Sequence, residues 1–215
     1  MTLDIGRSFT YMFEDESWIM KIVIGGILLF IPIVNFMVMG YMLEALKRSA
    51  DGMDIPLPEW DDFGAKLLTG LMAFVIALIY AIPVLLVACC TFGLLPLVAQ
   101  NETLMDMAGV ITAFCAPCLS ALWLIVMVLI VPAAWIRYAV TGQFMSAFQF
   151  GELFGFISAN VANYIVALIL AGVAGFVAGF GTIACFVGVF FTGFWALLVM
   201  GHLFGQVQRE SLTTA

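Results

Sequence analysis

The cysteines are the residues whose types and spacing come closest to a known chemistry. Positions 115–118 have the C-x-P-C form of thiol–disulfide catalysts, and Cys89 and Cys90 precede them. A reactive thiol needs a neighbouring cation to favour its thiolate, and no Lys, Arg or His is close in the sequence. Cysteine is also a common small apolar residue, and a proline in a helix is explained by a kink. We therefore expect reduced, unreactive thiols. The alternative is a redox site formed by Cys115, Cys118, Cys89 and Cys90.

Long stretches without any charge hold these cysteines. No Asp, Glu, Lys or Arg occurs in residues 67–101, 107–136 or 153–208. A helix needs about 20 apolar residues to cross a hydrocarbon core about 30 Å thick, and each stretch meets that requirement. The chain is 65% hydrophobic and only 10% charged, which is far from globular averages. These features predict an integral membrane protein.

The hydropathy pattern predicts an all-α, polytopic transmembrane helix bundle that forms one membrane domain over residues 1–215. We expect about five spans, at residues 19–46, 67–90, 107–136, 161–180 and 183–206. Gly93 and Pro96 predict a break after the second span, which would make residues 91–100 re-entrant or interfacial.

An apolar stripe precedes the first span and consists of Ile5, Phe9, Met12 and Phe13. These residues follow helical spacing, so we predict an N-terminal interfacial amphipathic helix over residues 3–16. Trp18 is expected to anchor this helix at the headgroups.

Positive residues fall in alternate loops and predict the orientation. Lys47, Arg48 and Lys66 lie between the first two spans, Arg137 follows the third and Arg209 follows the fifth. By the positive-inside rule, loops 47–66 and 137–156 and the C-terminus are expected in the cytoplasm, and Cys185 with the other cysteines toward the outside. An odd number of spans would leave the N-terminus outside, but Arg7 and Lys21 count against that side, so it stays open.

Residues 51–64 read D-G-M-D-I-P-L-P-E-W-D-D-F-G, after Gly40 and Tyr41 and before Gly70. Together with Trp18 upstream, this pattern resembles the domain-of-unknown-function 4013 family of prokaryotic multi-span membrane proteins. The hallmark of that family is a G-Y … R … L-P-x-W-x-D … G stretch, and the second half of the chain resembles it mainly in hydropathy. The resemblance implies a bacterial or archaeal cytoplasmic membrane, with no assigned activity and no catalytic residues to carry over.

The same loop has a physical interpretation of its own. Pro56 and Pro58 favour an extended segment, in which Trp60 can seat among lipid headgroups. Asp61 or Asp62 can cap the helix that follows. The alternative is a carboxylate cluster for a cation or a basic partner, made of Asp54, Glu59, Asp61 and Asp62. The structural or interaction candidates in this half of the chain are Trp18, Gly40, Tyr41, Pro58, Trp60 and Asp61.

Small residues repeat through the fourth predicted span, where Gly175 and Gly179 form a G-x-x-x-G pair. Small residues at this spacing let helix backbones approach closely in lipid. We expect this pair to serve packing within the bundle. A face for a homo-oligomer or for other membrane proteins, and a pore lining, are the alternatives.

Polar residues inside the spans are few, namely Asn35, Tyr80, Asn160, Asn163 and His202. Proton pumps and ion-coupled carriers normally hold an ionisable group near mid-membrane, because a charge there is costly and is kept for function. The sequence places none at that depth. With a net charge of -7 and no basic patch, nucleic acid is not an expected partner.

We therefore expect a non-enzymatic accessory, scaffold or lipid-associated membrane component, with no catalytic, cofactor or metal site and with the lipid bilayer as its partner. His202 is expected to be an interfacial anchor. Two alternatives remain open, a small-solute or lipid transporter and a membrane thiol oxidoreductase that uses Cys115 and Cys118.

Overall fold

The computed structural model describes residues 3–98, 109–183 and 187–214, and this part of the chain is helical and contains no strand. Its α-helices are α1 (Ile5–Thr10), α2 (Trp18–Phe30), α3 (Phe36–Ala50), α4 (Phe63–Val98), α5 (Ala116–Thr141), α6 (Phe150–Ala159), α7 (Val161–Gly179) and α8 (Gly188–Thr214). Short 3-10 or π turns occur at Tyr11–Glu14, Ile111–Cys115, Phe144–Phe148 and Phe180–Ile183. The predicted all-α class is confirmed.

Four of the described helices are long and apolar enough to cross a membrane. These candidate spans are Phe63–Thr91, Ile111–Thr141, Val161–Ile183 and Gly188–Leu212. They correspond to the second to fifth predicted spans. The protein is therefore an integral membrane protein with about four spans in its described residues, and the prediction of five is wrong.

The first predicted span, residues 19–46, consists of two helices instead of one. α2 has 13 residues and α3 has 15, so each is about 20 Å long and too short for a core of about 30 Å. Pro32 lacks an N–H and disfavours helical backbone at the residue before it. Ile31 is accordingly extended, and Ile33 takes a left-handed φ of 72°.

Helix α4 continues past the position where a break was expected. It runs as one helix of 36 residues through Gly93 and Pro96. The prediction failed because Gly and Pro are tolerated inside membrane helices, where local adjustments satisfy the freed backbone groups. The expected outer loop, within residues 99–108, and Cys185 lie outside the described residues.

The chain divides into two compact units, which we describe separately. The smaller unit spans Ile76–Val131, and the larger one comprises the described parts of Met1–Val75 and Pro132–Ala215. In the smaller unit, the Nε1 of Trp123 donates a hydrogen bond to the carbonyl of Tyr80 at 2.8 Å. This bond joins its α5 segment to its α4 segment.

Helix α8 lies at the centre of the larger unit, with α2, α3 and α7 packed against it. Close packing on α3 depends on two glycines of α8. A Cβ on Gly201 would lie 2.9 Å from the carbonyl oxygen of Met42, and one on Gly205 would lie 2.5 Å from that of Leu46. Any side chain at these positions would push the two helices apart.

The N-terminal segment, predicted as one interfacial helix over residues 3–16, forms α1 and a 3-10 turn. Tyr11 and Met12 are buried, whereas Ile5 and Phe13 are exposed. The predicted apolar stripe is therefore divided between the protein core and the surface.

Candidate functional site

The aromatic residues of the family-like pattern meet in the larger unit. The rings of Tyr41 and Trp60 stack with their centroids 4.3 Å apart. The Tyr41 hydroxyl donates a hydrogen bond to the carbonyl of Pro58 at 2.6 Å, and the Nε1 of Trp60 donates one to the carbonyl of Lys21 at 3.0 Å. These contacts hold the loop between α3 and α4 against both α3 and α2. Trp60 thus lies against Tyr41, and its place among the lipid headgroups stays a prediction.

Lys21 of α2 forms the first of two ionic junctions with this loop. Its Nζ lies 2.6 Å from Asp15 Oδ2 and 2.5 Å from Glu59 Oε1, and its side chain is only 3% exposed. Burial alone would raise the pKa of Asp15, but hydrogen bonds from Lys21 and Ser17 outweigh burial and lower the pKa below its usual value. The junction connects the segment before α2 to the loop.

Lys66 of α4 forms the second junction. Its Nζ donates to Asp61 Oδ1 at 2.8 Å and to the Asp61 carbonyl at 3.0 Å, and it lies 2.9 Å from Glu44 Oε2. The hydrogen bond from Lys66 lowers the pKa of Asp61. Arg48 lies 2.7 Å from the other oxygen of Glu44, so the junction joins α3, the loop and α4.

The helix cap expected at Asp61 or Asp62 is made by Asp62. Its Oδ1 accepts a hydrogen bond from the backbone N–H of Ala65 at 3.2 Å, and its φ is 39°. Asp61 instead pairs with Lys66. Among the described residues no group of three or more His, Cys, Asp or Glu side chains is arranged to hold a metal ion.

Gly40 explains why α3 and α4 approach closely beside this junction. A Cβ at Gly40 would lie 2.0 Å from the carbonyl oxygen of Lys66, and a Cβ at Gly70 would lie 1.7 Å from that of Phe36. The two helices touch through their backbones at both glycines. We refer to Gly40, Tyr41, Pro58, Trp60 and Asp61, with Lys21 and Lys66, as the loop clamp.

A polar groove of about 490 Å³ lies beside the loop clamp. Its charged lining residues are Glu44, Lys47, Asp61, Asp62 and Lys66. The groove is also lined by Tyr138, near the end of α5, and by Gly142, the residue after α5. Sequence reasoning missed this groove because its lining comes from three separate segments. Two signals were available, the positive charge that gathers at the ends of these helices and the predicted carboxylate cluster, of which Asp61 and Asp62 line the groove whereas Asp54 and Glu59 do not.

A second polar cluster surrounds His202 on α8, which is buried and was predicted as an interfacial anchor. Its Nδ1 lies 3.0 Å from Ser8 Oγ and 3.0 Å from Gln206 Nε2. Tyr11 stacks on the imidazole at 4.3 Å and donates its hydroxyl to the carbonyl of Leu198 at 3.2 Å. The amide of Gln206 can only donate to Nδ1, which makes this nitrogen an acceptor. The cluster attaches the N-terminal segment to α8.

The remaining sequence candidates lie apart from the loop clamp. Trp18 packs edge-on against Phe13 at 4.8 Å. A Cβ on Gly175 or Gly179 would meet no other group within 4 Å, and both line an apolar groove of about 340 Å³ beside Gly193 of α8. No close backbone approach occurs at either glycine among the described residues, and a face for a second copy or for another membrane protein remains the alternative to the predicted packing within the bundle.

The four cysteines of the smaller unit carry free, exposed thiols, and they are Cys89, Cys90, Cys115 and Cys118. Cys115 ends the π turn that precedes α5. Their predicted lack of reactivity is a matter for experiment.

Apolar helices and a charged cluster at the helix ends define a multi-span integral membrane protein. The chain belongs to the family described as protein of unknown function (DUF4013), which matches residues 24–187. The predicted family is therefore confirmed, and the match extends well beyond the N-terminal half that carried the resemblance. Neither a curated protein nor a solved structure matches the chain.

Proposed function

We propose that the protein is a non-enzymatic component of a prokaryotic cytoplasmic membrane that associates with lipid at one membrane surface. The observation that carries this proposal is the position of the polar groove. It lies where the candidate span of α4 begins and that of α5 ends, at Phe63 and Thr141. Helix ends of this kind lie at the level of the lipid headgroups.

The loop clamp supports a structural role for the family-like residues. Lys21 and Lys66 each contact two carboxylates, and Tyr41 and Trp60 use their polar atoms to hold backbone carbonyls. Residues committed to such contacts position a loop and a groove. This arrangement favours an accessory, scaffold or lipid-associated component over an enzyme.

Several contacts also support one orientation. Arg7 donates to the carbonyl of Asp54 at 2.5 Å, and the backbone N–H of Asp4 donates to Gln206 Oε1 at 2.7 Å. The N-terminal segment, the loop and the end of α8 therefore share one end of the larger unit. By the positive-inside rule, we propose that this end faces the cytoplasm. About four spans then place both termini on that side, where Lys21 and Arg7 fit.

Reconstitution tests the proposed function against both alternatives. The protein is extracted into polymer-bounded native membrane discs, and native mass spectrometry measures the lipids that remain bound after dilution into detergent. We expect at least one phospholipid to stay bound per chain. In parallel, purified protein in liposomes should not raise the flux of small solutes above that of protein-free liposomes.

Three results would contradict the proposal. A chain that loses all lipid is not lipid-associated. A solute flux that falls when Lys47 is replaced by Gln would identify a transporter. Cycling of Cys115 and Cys118 between thiol and disulfide with a partner would identify an oxidoreductase.

A further inference from the structure

We propose that the polar groove between α3, α4 and α5 binds the zwitterionic headgroup of an aminophospholipid such as phosphatidylethanolamine. The ammonium group would lie beside Asp61 and Asp62, and the phosphate beside Lys47. This inference rests on the proposed lipid association and names the lipid class for the same site.

The acidic side of the groove has unused acceptors. Lys66 donates to Asp61 Oδ1, to the Asp61 carbonyl and to Glu44, so its three N–H bonds are used and it is saturated. Asp61 keeps its second carboxylate oxygen, and its side chain is 69% exposed. One carboxylate oxygen of Asp62 accepts a hydrogen bond from the N–H of Ala65. Each carboxylate therefore has an oxygen free for an ammonium donor.

The basic side of the groove depends on Lys47. Arg48 and Lys66 both pair with Glu44, whereas Lys47 lines the groove and forms no ion pair with any described residue. Its side chain is exposed near the end of α3. Lys47 is thus the groove cation available to a phosphate, because a lysine ammonium binds phosphate as a compact point charge.

The charge balance favours a headgroup that carries both signs. The lining holds three carboxylates, Glu44, Asp61 and Asp62, against two lysines, so an anionic headgroup without an ammonium group would be repelled. A trimethylated ammonium would keep the charge but lose its hydrogen-bond donors. The volume of about 490 Å³ falls within the range of small-molecule sites, and a lipid held at this level leaves its acyl chains in the bilayer.

Lipid competition tests the inference. Delipidated protein in detergent is mixed with equal amounts of phosphatidylethanolamine, phosphatidylcholine and phosphatidylglycerol, and native mass spectrometry measures the bound fractions. We expect phosphatidylethanolamine to be preferred by about fivefold over each competitor, as a partly exposed ionic contact would give. Glycerophosphoethanolamine, a soluble zwitterion with the same headgroup, should not displace the lipid at equal concentration.

Two variants separate the two ends of the headgroup. Asp62→Asn retains an oxygen that can cap α4 but replaces the free carboxylate oxygen with an amide N–H group, which cannot accept a hydrogen bond. The preference for phosphatidylethanolamine over phosphatidylcholine should therefore fall, because only phosphatidylethanolamine has ammonium N–H donors. Lys47→Gln should weaken the binding of phosphatidylethanolamine and phosphatidylcholine equally, since each lipid has a phosphate. Glu16→Gln, which removes an exposed carboxylate outside the groove, is the matched control and should change neither ratio.

Each contrary outcome has a distinct meaning. Equal retention of all three lipids, or an unchanged preference in Asp62→Asn, overturns this inference and leaves the proposed function intact. Displacement by glycerophosphoethanolamine overturns the assignment to a lipid. Loss of every lipid by the wild-type protein overturns both the inference and the proposed function.

Discussion

The hydroxyl of Tyr41 donates a hydrogen bond to the carbonyl of Pro58, 2.6 Å away. This bond connects the middle of α3 to a loop residue that follows it by 17 positions. Both residues are buried, and an unpaired carbonyl in such a place would be costly. The bond thus ties the loop to the buried side of α3, beside the contacts that Trp60 and Glu59 make with Lys21.

Tyr41→Phe removes this donor and leaves the ring in place. We expect the protein to lose about 1–2 kcal/mol of stability, because the carbonyl of Pro58 stays buried without its partner. Thermal unfolding in detergent, followed by tryptophan fluorescence, measures the change. Phe154→Leu alters an exposed aromatic residue and serves as the control. Equal melting temperatures for Tyr41→Phe and the wild type would show that the bond contributes nothing.

Gly40→Ala tests the backbone contact between α3 and α4. The added Cβ would lie 2.0 Å from the carbonyl oxygen of Lys66, so the helices must separate at a cost of about 1–3 kcal/mol. Gly172→Ala is the matched control, because its Cβ would meet nothing within 4 Å. The two variants should therefore differ clearly in melting temperature. Equal melting temperatures for the two variants would contradict the close approach of α3 and α4 at Gly40.

The spans could be predicted from the sequence because hydropathy is a local property, and four helices of the predicted kind are present. The division of the first predicted span into α2 and α3 was not predicted, because the apolar residues on both sides of Pro32 read as one uninterrupted run. The ion pair between Lys21 and Glu59 joins residues that are 38 positions apart, and no local pattern predicts such a pair. The loop residues were identified as important, but their contacts depend on how α2, α3 and α4 come together.

Acid should weaken the junction at Lys21. The pKa of Asp15 is lower in the folded protein than its unfolded value of about 3.9. Its stabilising contribution is therefore present above that value and is lost as the pH falls through the lower, folded-state pKa. We expect the melting temperature to fall more for the wild type than for Asp15→Asn between about pH 5 and pH 3. Parallel curves for the two proteins would exclude this junction as a source of stability.

Labelling in a cysteine-free background tests the orientation. Single cysteines at Glu16, Asp54 and a position after Glu210 should react only with a reagent added to the cytoplasmic side, because these segments share one end of the larger unit. A cysteine at Asn101 should react only from outside. Reaction of the Asp54 and Asn101 positions from the same side would contradict the orientation. Labelling of the cysteine at position 16 from outside would show that the N-terminal segment crosses the membrane.

The thiols are expected to be chemically quiet. Cys115→Ala combined with Cys118→Ala should change the free energy of unfolding by less than about 1 kcal/mol, since surface changes without lost contacts have small effects. Mass spectrometry without reductant should find both residues as free thiols. A stoichiometric Cys115–Cys118 or Cys90–Cys118 disulfide would instead favour the oxidoreductase alternative.

Photocrosslinking in the membrane tests the central claim most directly. A phosphatidylethanolamine analogue with a photoreactive group near its headgroup is incorporated into native-like discs, and the crosslinked peptides are mapped after irradiation. We expect crosslinks concentrated on the groove-lining segments, residues 40–47, 61–69 and 138–142, and a marked decrease of these crosslinks in Lys47→Gln. Crosslinks spread evenly over the helix ends, and unchanged in that variant, would contradict a lipid site in the groove.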